Sequence, residues 1–183
     1  SLAIIFVSNG PGELTTWVKP LANELHKQIA LSSKTNTSSK SLNLVLVPCP
    51  NATGNENDAA KKWLQFEQII NANNFWKLVF KPSDYGSWPS NGLVVFLGGD
   101  QFWSVLLSAR LGYLHMTYAE WIARWPFWND RILAMSEKIR QRLPKQIQHR
   151  CSVIGDLTAD LTENAKIDDP LPDGKWIAIM PGS

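Results

Sequence analysis

Two carboxylates in this chain follow glycines that come directly after apolar runs. Glu13 ends the segment Asn9-Gly10-Pro11-Gly12-Glu13, and Asp100 ends Gly98-Gly99-Asp100. A carboxylate at the mouth of a cleft can take the proton from an attacking hydroxyl, so both residues are candidates for a general base. Each also has a structural explanation. Asp is a good helix N-cap, and Glu in a first helical turn interacts favourably with the helix dipole.

Further polar side chains follow the apolar segment 112–117. His115 lies within or just after this segment, and Tyr118, Glu120 and Arg124 come next in the chain. Histidine can act as an acid or a base near neutral pH, which makes His115 a candidate for the same cleft. A histidine beside apolar neighbours is, however, more often a buried structural residue. Asp156 and Asp160 follow a later apolar segment, and capping explains them as well as chemistry does.

The segment 120–130 is rich in aromatic residues. Trp121, Trp125, Phe127 and Trp128 crowd together, and Pro126 prevents a continuous helix. Three explanations stay open: part of the core, a binding surface for a sugar ring or acyl chain, or a contact with a membrane interface. Arg124 and Arg131 nearby would suit anionic lipid.

Alternating apolar runs and amphipathic segments must position these residues. The run at 2–7 is continuously apolar, which is typical of a central parallel strand covered on both faces. Six further strands are predicted at 42–47, 77–80, 93–97, 112–117, 131–135 and 151–154. Helices are predicted over 17–29 and 58–70, from Asp100 to Leu111, and over 137–143. This alternation predicts an α/β fold, a Rossmann-like open parallel sheet with helices on both faces. In such sheets ligands bind beyond the carboxyl ends of the strands, where the polar residues above are expected.

The end of the chain has the pattern of a second unit. Residues 177–180 are apolar, as in a buried strand, and Pro181, Gly182 and Ser183 form a turn with a good N-cap. The Pro-rich stretch before this strand is typical of a linker. We therefore expect a domain over 1–166, a linker over 167–175, and at 176–183 the first strand and loop of a truncated second domain.

Composition excludes several classes of protein. A hydrophobic content of 44% indicates a globular chain, and a net charge of +2 is too weak to suggest nucleic-acid binding. No apolar run approaches the roughly 20 residues of a transmembrane helix. Cys49 and Cys151 lie far apart and outside any C-x-x-C pair. This argues against a zinc site and favours the cytoplasm. No metal cofactor is predicted.

Four segments, taken in order, resemble the lipid-A-disaccharide synthase family of glycosyltransferases. LGGDQFWSVLLSARLG (97–112) resembles that family's strand, Gly-x-Asp and helix ending in A-R-x-L-G. NDRILAMSEKIRQRL (129–143) and VIGDLTADL (153–161) are similar to two later motifs, and IAIMPGS (177–183) to its L-x-L-L-P-G-S. Gly12 and Glu13 match the start of its G-E-x-S-G-D motif.

The resemblance implies the N-terminal, acceptor-holding half of a GT-B fold. The implied reaction is an inverting, metal-independent transfer from a UDP-sugar to a lipid-like or glycolipid acceptor, at the inner face of the cytoplasmic membrane. UDP-sugar is the donor substrate, and no other cofactor is implied. Asp100 matches the Gly-x-Asp position and is the first candidate for general base, with Glu13 second. Gly182 and Ser183 would begin a nucleotide-sugar loop. The substrate-binding candidates are Asn9, Gly10, Gly12, His115, Tyr118, Glu120, Trp121, Arg124 and Trp125.

Two other functions stay open. Leu14 to Trp17 stand where the family has Ser-Gly-Asp, so the chemistry of the parent protein could differ from the family's. One alternative is a nucleotide-sugar 2-epimerase with a GT-B fold, which needs no acceptor. The other is a Rossmann-like binding domain without catalysis. The sequence does not predict an oligomeric state.

Overall fold

The computed structural model describes residues 1–33, 39–48, 63 and 65–159. Seven parallel strands form one sheet in the order β3-β2-β1-β4-β5-β6-β7. Their bounds are Leu2–Ser8 (β1), Lys40–Leu46 (β2), Gln68–Ile70 (β3), Gly92–Phe96 (β4), Leu114–Ala119 (β5), Arg131–Ala134 (β6) and Cys151–Val153 (β7). The chain adds strands on one side of β1 and then on the other. The predicted α/β fold, a Rossmann-like open parallel sheet, is confirmed.

The continuous apolar run of β1 lies at the centre of the sheet, with both faces covered. Successive side chains of a strand point to opposite faces. Ala3, Ile5 and Val7 therefore contribute to one buried cluster, and Ile4 and Phe6 to the other. These five side chains are at most 7% exposed. Burial on both faces explains why no polar residue interrupts this run.

In the described part of the chain, four helices contribute to the two layers that cover the sheet. The first, α1, begins at Pro11 and has three consecutive segments: Pro11–Glu13, the π-helical Leu14–Val18, and Lys19–Ser33. The other helices are Phe75–Phe80 (α2), Gln101–Leu111 (α3) and Glu137–Arg142 (α4). Helix α1 supplies Leu14 and Val18 to the cluster around Phe6. Helices α2 and α3 cover the opposite face of the sheet.

The π-helical segment of α1 has an identifiable cause in the sequence. Lys19 donates its backbone N–H to the Leu14 carbonyl, five residues back instead of four. Pro20 follows at once, and proline lacks the N–H that an α-helix would use at that point. Its ring also crowds the carbonyl four residues earlier. The wider turn accommodates both effects without breaking the helix.

One predicted element is wrong, and another extends too far along the chain. The segment 77–80 belongs to helix α2, in which Phe75, Leu78 and Val79 are buried at helical spacing. The predicted helix 58–70 does not reach its end, because Gln68–Ile70 is β3 and pairs with Asn43–Val45 of β2. Residues 58–62 and 64 of that prediction lie outside the described residues. So do the predicted linker at 167–175 and the predicted unit at 176–183.

Candidate functional site

A cleft of about 460 Å³ opens at the carboxyl ends of β1, β4 and β5. It lies beside the point where the strand order reverses between β1 and β4, the position at which open α/β sheets bind ligands. Many of the predicted site residues lie together here. The lining residues are Asn9, Glu13, Trp17, Phe96, Leu97, Gly98, Gly99, Asp100, Gln101, Tyr118, Glu120, Trp121, Ile122 and Arg124.

Glycines bring Glu13 close to the end of β4. A Cβ atom on Gly98 would lie 2.8 Å from Cγ of Glu13, which is too close for a real contact, and 3.0 Å from Oγ of Ser8, which is unusually tight. A Cβ atom on Gly10 would overlap the Glu13 carboxylate. Glycine at both positions therefore lets the Glu13 side chain lie against the backbone. Among the described residues, neither oxygen of Glu13 has an ion-pair or side-chain hydrogen-bond partner.

A second glycine contact joins the loops after β1 and β4. Gly99 has φ +93°, a left-handed conformation that glycine adopts readily and other residues rarely. Its Cα faces Asn9, whose Cγ would lie 3.0 Å from a Cβ at that position. The two loops can approach this closely only because Gly98 and Gly99 have no side chains.

Unpartnered polar atoms accumulate on the β1 side of the cleft. Asn9 Oδ1 and Trp17 Nε1 are buried without a hydrogen-bond partner among the described residues, and Oγ of Ser8 is a third such atom. Buried polar groups in proteins are nearly always hydrogen-bonded. Unused donors and acceptors beside an open cleft are therefore a chemical reason to expect a polar ligand there.

Asp100 has the structural role expected of an N-cap and also faces the cleft. Its Oδ1 accepts a hydrogen bond of 3.0 Å from the Phe102 N–H at the start of α3. Its Oδ2 lies 3.8 Å from Nη1 of Arg124, with the two side chains 49% and 63% exposed. The ion pair is weak because water screens it. Capping still leaves Oδ2 open toward the cleft, so the two roles of Asp100 are compatible.

Gln101 positions the loop that follows β5, a role that the sequence alone did not indicate. Its Nε2 donates to the Ile122 carbonyl at 2.7 Å, and its Oε1 accepts from the Arg124 N–H at 2.7 Å. The Gln101 side chain is buried, with 8% exposure. One amide thus fixes the segment that carries Trp121 and Arg124 beside Asp100.

Tyr118 lines the cleft from the carboxyl end of β5. Its ring contacts Trp17 edge to face, with centroids 5.4 Å apart. The hydroxyl donates to the Gly155 carbonyl at 3.4 Å and accepts from the Leu157 N–H at 3.3 Å. Burial raises the pKa of Tyr118 above its usual value. The phenol is therefore neutral near pH 7. Its two hydrogen bonds join the end of β5 to the segment after β7.

His115 lies away from the cleft. It is the second residue of β5, near the amino end of the strand, and is 1% exposed. Its Nε2 lies 2.9 Å from Oγ of Ser104 on α3, and its backbone N–H donates to Oδ2 of Asp130 at 2.8 Å. Burial lowers its pKa to about 4, although the Asp130 charge acts in the opposite direction. His115 therefore joins α3 to β5 from inside the core.

Three further predicted site residues in the described part of the chain, Gly10, Gly12 and Trp125, do not line the cleft. Gly10 and Gly12 lie at the start of α1, where the Glu13 carboxylate packs against the backbone of Gly10. Trp125 packs against Phe102, with centroids 6.1 Å apart, outside the lining. Gly182 and Ser183 lie outside the described residues. Within the described part of the chain, no three His, Cys, Asp or Glu side chains cluster closely enough to hold a metal ion.

Comparison with known proteins adds little to this description. No family model matches the chain, and no curated protein matches it. Among solved structures, the chain resembles one described as "Structure of MT0777". The TM-score is 0.44 at 11% identity, over 85% of this chain and 86% of that one. The case for a function depends on the cleft itself.

We expect Gln101→Leu to loosen the loop after β5 while the sheet stays intact. The substitution removes the hydrogen bonds to the Ile122 carbonyl and from the Arg124 N–H, each of which contributes about 0.5–1.5 kcal/mol. Amide hydrogen exchange over 120–125 should then accelerate by at least about tenfold. Gln148→Leu is the matched control, since Gln148 donates to the Leu143 carbonyl at 3.0 Å, away from the cleft. Unchanged exchange in the Gln101 variant would show that the loop is held by other contacts.

Proposed function

We propose that this chain is the acceptor-binding half of an inverting glycosyltransferase that uses a UDP-sugar. The observation that carries the proposal is one cleft, at the strand-order reversal, that contains the carboxylates Glu13 and Asp100, the cation Arg124 and the indole rings of Trp17 and Trp121. Carboxylates provide a base, and aromatic faces bind sugar rings and apolar groups. The motif resemblance described above supports the same class of reaction.

In the proposed reaction the acceptor hydroxyl attacks the anomeric carbon of the donor in line. A bond forms between the acceptor oxygen and that carbon, and the bond to the UDP oxygen breaks with its electron pair leaving on UDP. The hydroxyl proton passes to Asp100, whose Oδ2 faces the cleft beside Arg124. The partner domain would hold most of the donor. The residues of this chain would therefore contribute two things to the reaction: they align the acceptor hydroxyl and accept its proton.

Glu13 is the second candidate for the base, and its contacts favour this role. Asp100 already caps α3 and faces Arg124, whereas Glu13 has no ion-pair partner among the described residues. The resemblance favours Asp100, because that residue matches the family's Gly-x-Asp position. The two carboxylates are thus distinguishable by substitution rather than by geometry alone.

The aromatic side of the cleft suggests the kind of acceptor. Trp121 lines the cleft and is 74% exposed, and Ile122 beside it is 53% exposed. A large exposed indole at a cleft mouth favours a ligand with an apolar or ring-shaped part. We therefore propose a lipid-like or glycolipid acceptor, with the hydroxyl directed toward Asp100 and the apolar part toward Trp121.

Product analysis with the full-length protein tests the proposal. UDP-glucose and UDP-N-acetylglucosamine are each incubated with and without dodecyl glucoside as an apolar acceptor. We expect UDP release that requires the acceptor, and a new glycoside of inverted anomeric configuration by NMR. Conversion of the donor sugar to its 2-epimer without acceptor would instead identify an epimerase. Absence of both turnover and donor binding by calorimetry would identify a non-catalytic binding domain.

A further inference from the structure

A continuous row of aromatic rings crosses the outer surface of helices α2 and α3. Within α2, Trp76 stacks on Phe80 with centroids 5.9 Å apart, and it contacts Trp103 of α3 at 5.4 Å. Trp103 contacts Phe102 at 5.3 Å, and Phe102 contacts Trp125 at 6.1 Å. We call these five residues, Phe80, Trp76, Trp103, Phe102 and Trp125, the aromatic row. It leads from the end of α2 to the loop beside the cleft.

Four of the five rings in the aromatic row are exposed, whereas Trp103 is half-buried and packs against the core. Phe80 is 72% exposed, and Trp76, Phe102 and Trp125 are each 40% exposed or more. The exposure continues beyond the row, where Phe127 and Trp128 are both more than 60% exposed. A contiguous apolar patch of this kind on a protein surface usually marks an interaction site.

Cations without carboxylate partners border the aromatic row. Lys77 and Lys81 are exposed and lie one turn apart next to Trp76 and Phe80. Arg110 of α3 is exposed too, and its Nε donates at 2.7 Å to the Val79 carbonyl of α2. In the described part of the chain, none of these three forms an ion pair.

Few carboxylates oppose these cations. Asp84 lies in the turn Pro82–Tyr85 that follows α2, and Asp100 at the other end of the row is paired with Arg124. The balance of charge along the row is therefore positive. Such a surface complements an anionic partner rather than a second copy of itself.

We infer that the aromatic row docks the protein on an anionic lipid bilayer. Tryptophan and phenylalanine rings enter the interfacial region, and lysine and arginine beside them bind lipid phosphates. Among the described residues no helix has the length and apolar character to cross a bilayer, so the contact would be peripheral. Docking would bring the mouth of the cleft close to the lipid surface. Access of a lipid-like acceptor to the cleft from the bilayer rests on the proposed function, whereas docking itself does not.

Vesicle co-sedimentation of the full-length protein tests the inference. We expect binding to vesicles of phosphatidylcholine with 30% phosphatidylglycerol and at least about tenfold weaker binding to phosphatidylcholine alone. Phe80→Ser removes the most exposed ring of the row, and Lys77→Glu reverses one charge beside it. Each should weaken binding about fivefold or more, and added salt should weaken binding by the wild type.

Two matched controls separate the aromatic row from general surface properties. Leu31→Ser changes another exposed apolar residue, 59% exposed on α1 across the sheet, and Lys138→Glu reverses an exposed lysine on α4. Both should bind vesicles as the wild type does. Equal binding by the Phe80 and Lys77 variants, or no vesicle binding by the wild type, would overturn the inference. So would a dimer in analytical ultracentrifugation that Phe80→Ser dissociates while vesicle binding is unchanged. Loss of turnover with vesicle binding intact would count against the proposed function alone.

Discussion

Asp100→Asn should lower kcat of the full-length protein by about 10²- to 10⁴-fold, the usual contribution of a general base. Asparagine is as good an N-cap as aspartate, so the 3.0 Å hydrogen bond from the Phe102 N–H can persist. The lost ion pair with Arg124 is solvent-exposed and contributes about 0–1 kcal/mol. We therefore expect stability and KM to change little, because the variant removes basicity and retains the fold. Steady-state kinetics and urea denaturation measure the two effects separately.

Two companion variants make the Asp100 result interpretable. Asp100→Ala should lose the same turnover and, in addition, about 1 kcal/mol of stability, since alanine cannot cap α3. Glu13→Gln keeps the size of the side chain between Gly10 and Gly98 and removes only its charge. If Asp100→Asn retains wild-type kcat while Glu13→Gln loses it, the base is Glu13. If both retain it, neither carboxylate is the base.

His115 should make the protein less stable in mild acid. Its pKa is about 4 in the folded state, against an ordinary value of 6.5, because burial disfavours the charged ring. Between these values the unfolded chain binds more protons, so stability falls as pH falls. The contribution is complete above pH 6.5, is reduced by about 2 kcal/mol at pH 5, and reaches a loss of about 3 kcal/mol below pH 4.

Urea denaturation at pH 7.5 and pH 5 measures the His115 effect. His115→Gln, which retains a polar group beside Ser104, should show a loss smaller by about 2 kcal/mol than the wild type between these pH values. His149→Gln changes an exposed histidine and should keep the wild-type pH dependence. Identical pH profiles for the His115 variant and the wild type would mean that other groups cause the acid sensitivity.

The sequence predicted the central strands and much of the cleft because their patterns are long or local. The apolar runs of β1 and β4 are continuous, have the length of a strand and are followed by glycine-containing loops. The polar residues after them, such as Asn9 and Asp100, therefore lie at the carboxyl edge. The short elements were not predictable in this way. The apolar residues of α2 fit a strand as well as a helix, and β3 has three residues, too few to show a period of two.

The cleft residues that the sequence did not indicate depend on contacts between distant segments. Gln101 lies near the loop after β5 only once α3 and β5 have packed side by side. His115 was a substrate-binding candidate because it was expected within or just after the fifth strand. The predicted strand ended at 117, whereas β5 continues to Ala119, so His115 lies farther from the carboxyl edge than its sequence position suggests. Element boundaries are the least certain part of such predictions, and an error of two residues moves a side chain by about 6–7 Å along a strand.

The wide turn of α1 makes the cleft sensitive to chain length as well as to residue identity. An α-helix rotates about 100° per residue, so the additional residue in the π-helical Leu14–Val18 changes the phase between the two ends of the helix. Val18 and Ala22 can thus stay in the core while Glu13 and Trp17 face the cleft. Deleting one residue between Glu13 and Pro20 would rotate the cleft-facing end by about a quarter turn relative to its buried end. Insertions and deletions in this turn are therefore a route by which the same sheet and core could acquire a different binding specificity.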